Sequence, residues 1–452
     1  MTERLSARGT IALVTDDFTE LELEAPTPTK EYAPDGPLSW QGYDASRARA
    51  AERTGEEESV VCGRATIGPT AAVLIAFEFG FLGGSLGERT GDRLESAYAY
   101  AREHRLPVVS LIATGGSRMQ EGMRALTQLQ RVARQSALTR EAGLPQLAVL
   151  RDPTTGGGWA TLGAGADVIL ALPAAQVGFA GSRVRPPDAD PAAYTAESQV
   201  ATGAADAVVH PEDLRPTLTL WLELLTNPAT EPAPPPPALS ASPTLPATGR
   251  EAVERARAPR RPRADAYLDA YFTRRTTISG DRVGGGTDPG MLCGFGEHDG
   301  RTIAYAAQLG TPTRPAGYRT ATRLIHLADR LNIPVLTLID TPGAANDAEA
   351  ERQGAGTAIA ALFTAVATAR TPVTTLLIGE GGSGGALALA APDNTWATPD
   401  SYFSVIAPEL AAAILKRPEE QIQATADELR LRPQDLVELR VVRGISGPLG
   451  GA

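Results

Sequence analysis

Apolar runs with little polar interruption recur along this chain, and two pairs of them close on glycines at matched spacing. "LPVVSLIATGG" (Leu106–Gly116) leads into a stretch of helical period and then into "LPQLAVLRDPTTGGG" (Leu144–Gly158). "IPVLTLIDTPG" (Ile333–Gly343) leads into another such stretch and then into "TPVTTLLIGEGGSGG" (Thr371–Gly385). Continuous apolar runs of this kind predict strands covered on both faces, as in a parallel sheet. "ESAYAYAREH" and "RTATRLIHLADRL" carry apolar residues at helical intervals. Each ends shortly before the proline that opens a strand, where the ring removes a backbone donor. Between the first pair of glycine turns, Met123, Leu126, Leu129 or Gln130, and Ala133 trace one helix face, with Gly143 placed to close the helix. Each block therefore predicts strand, helix, strand, Gly-rich turn, helix, strand, an α/β alternation.

The two blocks match in order as well as in kind. Pro107 and Pro145 are separated by the same interval as Pro334 and Pro372, and "VVCGRATIGPTAAVLIAFEF" upstream has a counterpart in "MLCGFGEHDGRTIAYAAQLG". An ordered set of matches implies a tandem duplication of one domain. Between the blocks, from Thr226 to Asp265, the chain turns Pro-rich and then Arg-rich. A polyproline stretch stays extended and outside regular structure, so it reads as a linker. The expected division is an N-terminal domain over 1–228, a linker over 229–262 and a C-terminal domain over 263–452.

Composition narrows the chemistry. A chain of 452 residues suits two domains, and a formal net charge of -11 argues against nucleic acid or an anionic membrane as partner. Lys30 and Lys416 are the only lysines, which disfavours a Schiff-base mechanism, and two cysteines with four scattered histidines supply no metal-site spacing. Neither a signal-peptide core nor an apolar run of spanning length is present, so a soluble, cytoplasmic protein is expected. Cys62 and Cys293 read as small buried residues.

What remains is backbone chemistry. Two Gly-rich turns at neighbouring strand ends, one leading into a helix start, can aim N–H groups at one oxygen that gains negative charge. Ser117 and Ser383 sit beside glycines, and Gly381, Ser383 and Gly385 formally match a nucleophile elbow. No histidine follows Ser383, which disfavours a serine hydrolase. Asp152 and Asp340 end strands before the turns and read as capping groups.

These residues carry a resemblance. "TGEEESVVCGRATIG", "FEFGFLGGSLGERTGDRL", "GGSRMQEG", "DPTTGGG" and "VGFAGSRV" stand in the order of the β subunit of bacterial acetyl-CoA carboxylase carboxyltransferase. "PAGYRTATRLIHLADRLNIPVLTLIDTPGA", "IGEGGSGGALALA", "SYFSVIAPELAAAIL" and "LRLRPQDLVELRVVRGISGPLGG" are similar to its α subunit. The chain resembles a β-then-α fusion covering nearly everything outside the linker. The resemblance implies two tandem crotonase-like (ClpP/crotonase) ββα-superhelix domains. It further implies transfer of a carboxyl group from carboxybiotin to the α-carbon of an acyl-CoA, most simply acetyl-CoA to malonyl-CoA. Within it, Gly156 and Gly157 would hold the thioester oxygen, supported by Gly115 and Gly116, with Ser117, Arg118 and Arg183 as substrate-binding residues. Gly384 and Gly385 would hold the biotin ureido oxygen, with Gly343, Ala344, Gly382 and Ser383 alongside. Arg118, Gln120 and Glu121 could instead pair internally. After carbon dioxide is lost, the biotin nitrogen can take the α-proton, so no protein base is needed.

The family's site lies at a dimer interface, so the resemblance implies a homodimer working with a biotin carboxyl carrier protein and a biotin carboxylase. No metal is expected. Departures are visible: no four-cysteine zinc ribbon, "GGSR" for the usual "GGAR", an altered "ANDAEAERQGAGTA" after "DTPGA", and no biotin-attachment Met-Lys pair. Biotin would therefore arrive on another protein. The alternatives are a biotin-independent malonyl-thioester decarboxylase, which needs only the first turn, and a non-enzymatic assembly subunit.

Overall fold

A computed structural model of the protein describes residues 4–22, 34–239, 242 and 244–447. The last residues of the closing sequence motif, 448–451, lie outside them. The chain divides into two compact units, Met1–Thr226 and Asn227–Ala452.

The first unit is built on one sheet. Its strands are β1 (Asp17–Glu20), β2 (Val60–Ile67), β3 (Thr70–Phe77), β4 (Val108–Thr114), β5 (Gln146–Thr155), β6 (Val168–Ala171), β7 (Val177–Gly178) and β8 (Ala207–Val208). They run in the order β1-β2-β3-β4-β5-β6-β8, with β7 beside the end of β5. β2 and β3 form an antiparallel hairpin, while β3, β4, β5 and β6 pair in parallel. All seven residues of β4 are buried, as its unbroken apolar run requires. Helix α1 (Glu88–Glu103) connects β3 to β4, and α2 (Met123–Glu141) connects β4 to β5.

The second unit repeats this plan. Its strands are β9 (Arg274–Ile278), β10 (Met291–His298), β11 (Arg301–Gln308), β12 (Val335–Thr341), β13 (Val373–Gly382), β14 (Thr395–Ala397), β15 (Tyr402–Ser404) and β16 (Gly444–Ile445). β10 and β11 are antiparallel; β11, β12, β13 and β14 pair in parallel. Helix α3 (Gly249–Arg257) precedes β9, α4 (Pro315–Leu331) joins β11 to β12, and α5 (Ala355–Thr368) lies before β13. The β5–β7 pair has its counterpart in β13–β15. The duplicated alternation of sequence is thus a duplicated mixed α/β sheet domain.

Two expectations need correction. The stretch 229–262, read as a linker, lies inside the second unit. Ala233 and Ala238 are buried, the Tyr271 hydroxyl donates to Pro234 O, and α3 is an amphipathic helix capped by Thr248 with Ala252, Val253 and Ala256 buried. Proline bars ladder pairing but not packing, and its carbonyls still accept hydrogen bonds. The second concerns α2, whose inward face is not the one traced by Met123 and Leu126. Those two are exposed, whereas Ala125, Gln128, Val132, Gln135, Ser136 and Thr139 are buried. Polar groups win here because they find partners: Arg102 donates to Gln135 Oε1 at 2.6 Å, and Gly91 on α1 leaves room for Gln128.

Candidate active site

In each unit the ends of two neighbouring parallel strands open into glycine turns that touch. At the end of β4, Gly115 N–H donates to Gly83 O at 2.9 Å, and Gly116 (φ 107°) donates to the Thr114 hydroxyl at 3.0 Å. At the end of β5, Gly156 (φ 62°) donates to Phe179 O at 3.1 Å, and the chain enters a helical segment through Gly157 and Gly158. A Cβ on Gly156 would stand 3.1 Å from Gly116 Cα, a tight approach, and the positive φ at both positions favours glycine. A Cβ on Gly157 would meet the end of the Leu129 side chain at 2.3 Å, which would have to swing aside. As first-turn residues, Gly157 and Gly158 have no intrahelical acceptor for their N–H groups. Of the predicted pair, Gly157 therefore keeps a donor to offer, while the Gly156 donor is already used.

The second unit repeats the geometry at the same offset along the chain. Gly343 (φ 138°) donates to the Thr341 hydroxyl at 3.1 Å, as Gly116 does to Thr114. Ser383 (φ 57°) takes the place of Gly156 in the left-handed region, unusual for a residue with a side chain. It opens the short helix Ser383–Leu387, whose first turn holds Gly384 and Gly385. A Cβ on Gly385 would fall 2.4 Å from Ala344 N, whereas one on Gly384 meets nothing within 4 Å. Gly385 is thus pressed against the neighbouring turn, and Gly384 faces open space. Gly382 is buried beneath both, where a Cβ would collide with Pro342 O. The Gly385 carbonyl is held from behind by the Tyr318 hydroxyl at 3.0 Å and Gln308 Nε2 at 3.3 Å.

The side chains predicted around the first turn behave differently from the backbone. Ser117 is half-buried, and its backbone bridges to Leu86. Arg118 is not available to a substrate: its side chain is 1% exposed and its guanidinium is saturated. It pairs with Glu58, reaches Glu121 Oε1 at 3.2 Å, and donates to Ser85 Oγ and O at 3.1 and 2.8 Å. Glu121 in turn accepts from Tyr43 OH and from Glu88 N–H. Burial pushes Glu58 up, but Arg118 and the Ser59 N–H outweigh it and leave the carboxyl below its ordinary value. Burial pushes Tyr43 up to about 12. The five-donor fork suits a buried tie between β2, the loop at Ser85 and the start of α2, so Arg118 is corrected from substrate binding to holding the turn. Arg183 is exposed in the loop that starts at Phe179. Its neighbour Arg185 is the anchored one, with its guanidinium 3.7 Å from the Tyr194 ring centroid.

Sequence reasoning passed over Thr114, Thr341, Tyr318 and Gln308. The two threonines carried a usable signal, since each stands two residues before a turn glycine in both halves. Asp340 also proves more than a cap: it is fully buried between Arg261 and Arg263. Asp152 accepts from Arg4 at 2.7 Å and from Gln176 N–H at 3.1 Å. Cys62 and Cys293 are buried, and burial raises both thiols, Cys62 to about 12.

Duplicated mixed α/β sheets with paired glycine turns define a tandem two-domain fold, and comparison with known proteins finds the same fold in carboxyltransferases. A family described as acetyl co-enzyme A carboxylase carboxyltransferase-like matches residues 246–452, and the carboxyl transferase domain matches residues 36–203. The acetyl-coenzyme A carboxylase carboxyl transferase subunits beta/alpha of Saccharopolyspora erythraea are 37% identical over 91% of this chain and 75% of that protein. A probable biotin-dependent acyl-coenzyme A carboxylase beta3 subunit of Mycobacterium tuberculosis is 34% identical over 88% of this chain and 82% of that protein. Among solved structures, the transcarboxylase 12S hexamer core with hydrolysed methylmalonyl-coenzyme A superposes with a TM-score of 0.79 at 20% identity, over 98% of this chain and 87% of that one. A single-chain, multi-domain long-chain acyl-CoA carboxylase gives 0.73 at 20% identity, over 98% of this chain and 46% of that one. The chain belongs to the carboxyltransferase family of the biotin-dependent acyl-CoA carboxylases and is an enzyme of that kind.

Proposed function

We propose that this protein transfers a carboxyl group between biotin carried on a separate protein and the α-carbon of an acyl-CoA, with acetyl-CoA to malonyl-CoA as the working reaction. The observation that carries the reading is the duplicated turn: two sets of first-turn N–H groups without intrahelical acceptors, one in each unit. A carboxyl transfer between an N-carboxylated urea and a thioester develops negative charge on two carbonyl oxygens, and preorganised backbone donors stabilise such charge. In the first unit Gly157 N–H, with Gly158 beside it and the packed Gly115–Gly116 turn beneath, would receive the thioester oxygen. Drawing charge onto that oxygen favours the enolate form of the acyl group. In the second unit the N–H groups of Ala344 and Gly385, with exposed Gly384 and Ser383 at the rim, would receive the ureido oxygen. The cradle fits a flat ureido edge because Gly384 presents no side chain and nothing crowds its open face. Biotin supplies the carboxyl group and, once that is lost, the nitrogen that takes the α-proton, so no protein base is called for.

The choice of acetyl-CoA rests on the acetyl-type character of both halves and of the relatives at 37% identity. A homodimer, a biotin carboxyl carrier protein and a biotin carboxylase as partners, and a cytoplasmic place of work belong to the same reading. Incubation of the purified protein with malonyl-CoA, with and without free biotin, tests it by the mass of the acyl-CoA products. Loss of the carboxyl group only when biotin is present is the expected result. Loss that ignores biotin would move the protein to a biotin-independent decarboxylase, and a preference for methylmalonyl-CoA would change the acyl group.

A further inference from the structure

The units differ in what stands behind their glycine turns. In the second unit, β12 and β13 each carry one carboxylate just before the turn, Asp340 and Glu380; the equivalent residues of the first unit are Ala113 and Pro153. Both carboxylates are gripped by arginines at the end of α3 and in the segment that follows it. Arg257 Nε stands 2.9 Å from Glu380 Oε2, and its other nitrogens reach Glu409 Oε1 at 2.7 Å and Tyr402 OH at 3.2 Å. Arg261 Nη2 donates to Asp340 Oδ1 at 2.5 Å, and Arg263 Nη1 donates to Asp340 Oδ2 at 3.0 Å. The Glu380 N–H closes the loop by donating to Asp340 Oδ1 at 3.2 Å. Two glycines make room for the guanidiniums: a Cβ on Gly379 would lie 2.3 Å from Arg261 Nη2, and one on Gly310 2.4 Å from Arg263 Nη1.

This grip acts where the sheet itself does not set the spacing. The β12–β13 register shifts between Ile339 and Thr341, so the ladder is irregular at Asp340. Two residues further on, the turns meet without slack, since Gly385 abuts Ala344 N and Gly382 abuts Pro342 O. The first unit has the same irregularity at Ala113 but meets it with backbone contact, Gly84 lying against Ala113 O. We propose that Arg257, Arg261 and Arg263 are positioning residues for the second glycine turn: by holding Asp340 and Glu380 they set the distance between the Ala344 and Gly385 donors. The segment is therefore part of the site's machinery rather than a tether. A buried carboxylate held by two guanidiniums has one arrangement, and displacement of reacting groups by about 1 Å costs about 100-fold in rate.

The inference rests on the reading that the second turn serves the biotin side, and two measurements separate them. In Arg261→Ala and Arg257→Ala, kcat/KM for free biotin in malonyl-CoA decarboxylation is expected to fall about 10–100-fold, with KM for malonyl-CoA within about twofold of the parent. Equal losses on both substrates would make the arginines merely structural and overturn the proposal. Hydrogen exchange needs no activity: faster exchange at residues 342–345 and 381–386, with 114–117 and 155–158 unchanged, is expected in both variants. Exchange that rises throughout the second unit, or nowhere, overturns it. A parent protein without biotin-dependent activity would sink the functional reading while the exchange pattern still decides the positioning role. Arg257, 36% exposed, keeps the experiment interpretable if Arg261→Ala does not fold.

Discussion

At the scale of single residues, the glycines of this protein do two different jobs, and the positions of their missing side chains tell them apart. Gly385 is a packing glycine, because an added Cβ would run into backbone that cannot move aside. Gly384 is a surface glycine at the open face of the same turn. Gly385→Ala is expected to lower stability by about 1–3 kcal/mol, as overpacking does, and to abolish biotin-dependent turnover. Gly384→Ala is expected to leave the melting temperature unchanged while raising KM for biotin several-fold; thermal unfolding and steady-state kinetics on the two variants check both statements. The glycine pairs were plain in the sequence. Which glycine donates and which merely fits was not, because Gly156 surrenders its N–H to Phe179 O, a residue brought in by β7.

Among the elements, the polar start of the segment before α2 shows how a site is held without being part of it. Arg118 ties Glu58 at the foot of β2 to Glu121 and to the Ser85 loop, all of them buried. Because the Glu58 carboxyl lies below its ordinary value when folded, its contribution to stability is complete above the unfolded value near about 4.3. That contribution is lost as the pH falls towards the folded value. Glu58→Gln leaves the Arg118 charge short of a partner, so a loss of about 3–5 kcal/mol at neutral pH is expected, together with a weaker dependence of stability on pH below that value. Denaturant titrations across that range measure both. Strand and helix identities were legible here because buried parallel strands and helix periods leave strong patterns. The inward face of α2 was not, since Gln135 is bonded by Arg102 and Glu95 of α1 and Gln128 lies in the space that Gly91 of α1 leaves open, which no local pattern announces.

For the molecule as a whole, the duplicated architecture places one glycine turn in each unit, and the proposed carboxyl transfer uses both. Exposed apolar residues gather on α2, at Met123 and Leu126, and α5 is a fourteen-residue helix without a charged side chain whose outward positions include Phe363. Its exposed face mixes Phe363 and alanines with Thr357, Thr364 and Thr368 and carries no charge, which leaves apolar area open to cover. Light scattering at assay concentration is expected to report a dimer, and a monomer that retains full biotin-dependent activity would contradict a site shared between copies. Sequence alone carried the duplication, the strand–helix alternation at the core of each repeat and the glycine turns, because each is written in local spacing, while the family resemblance came from the motifs themselves. The division at Thr226 and the packing of Ala233 and Ala238 within the proline-rich stretch were decided only by tertiary structure. So were the withdrawal of Arg118 into an ion pair and the joining of Arg257, Arg261 and Arg263 to Asp340 and Glu380. The physical reason is common to all of them: a charge or a proline shows its chemistry in sequence, but its partner stands tens of residues away, and only the folded sheet brings the two within hydrogen-bonding distance.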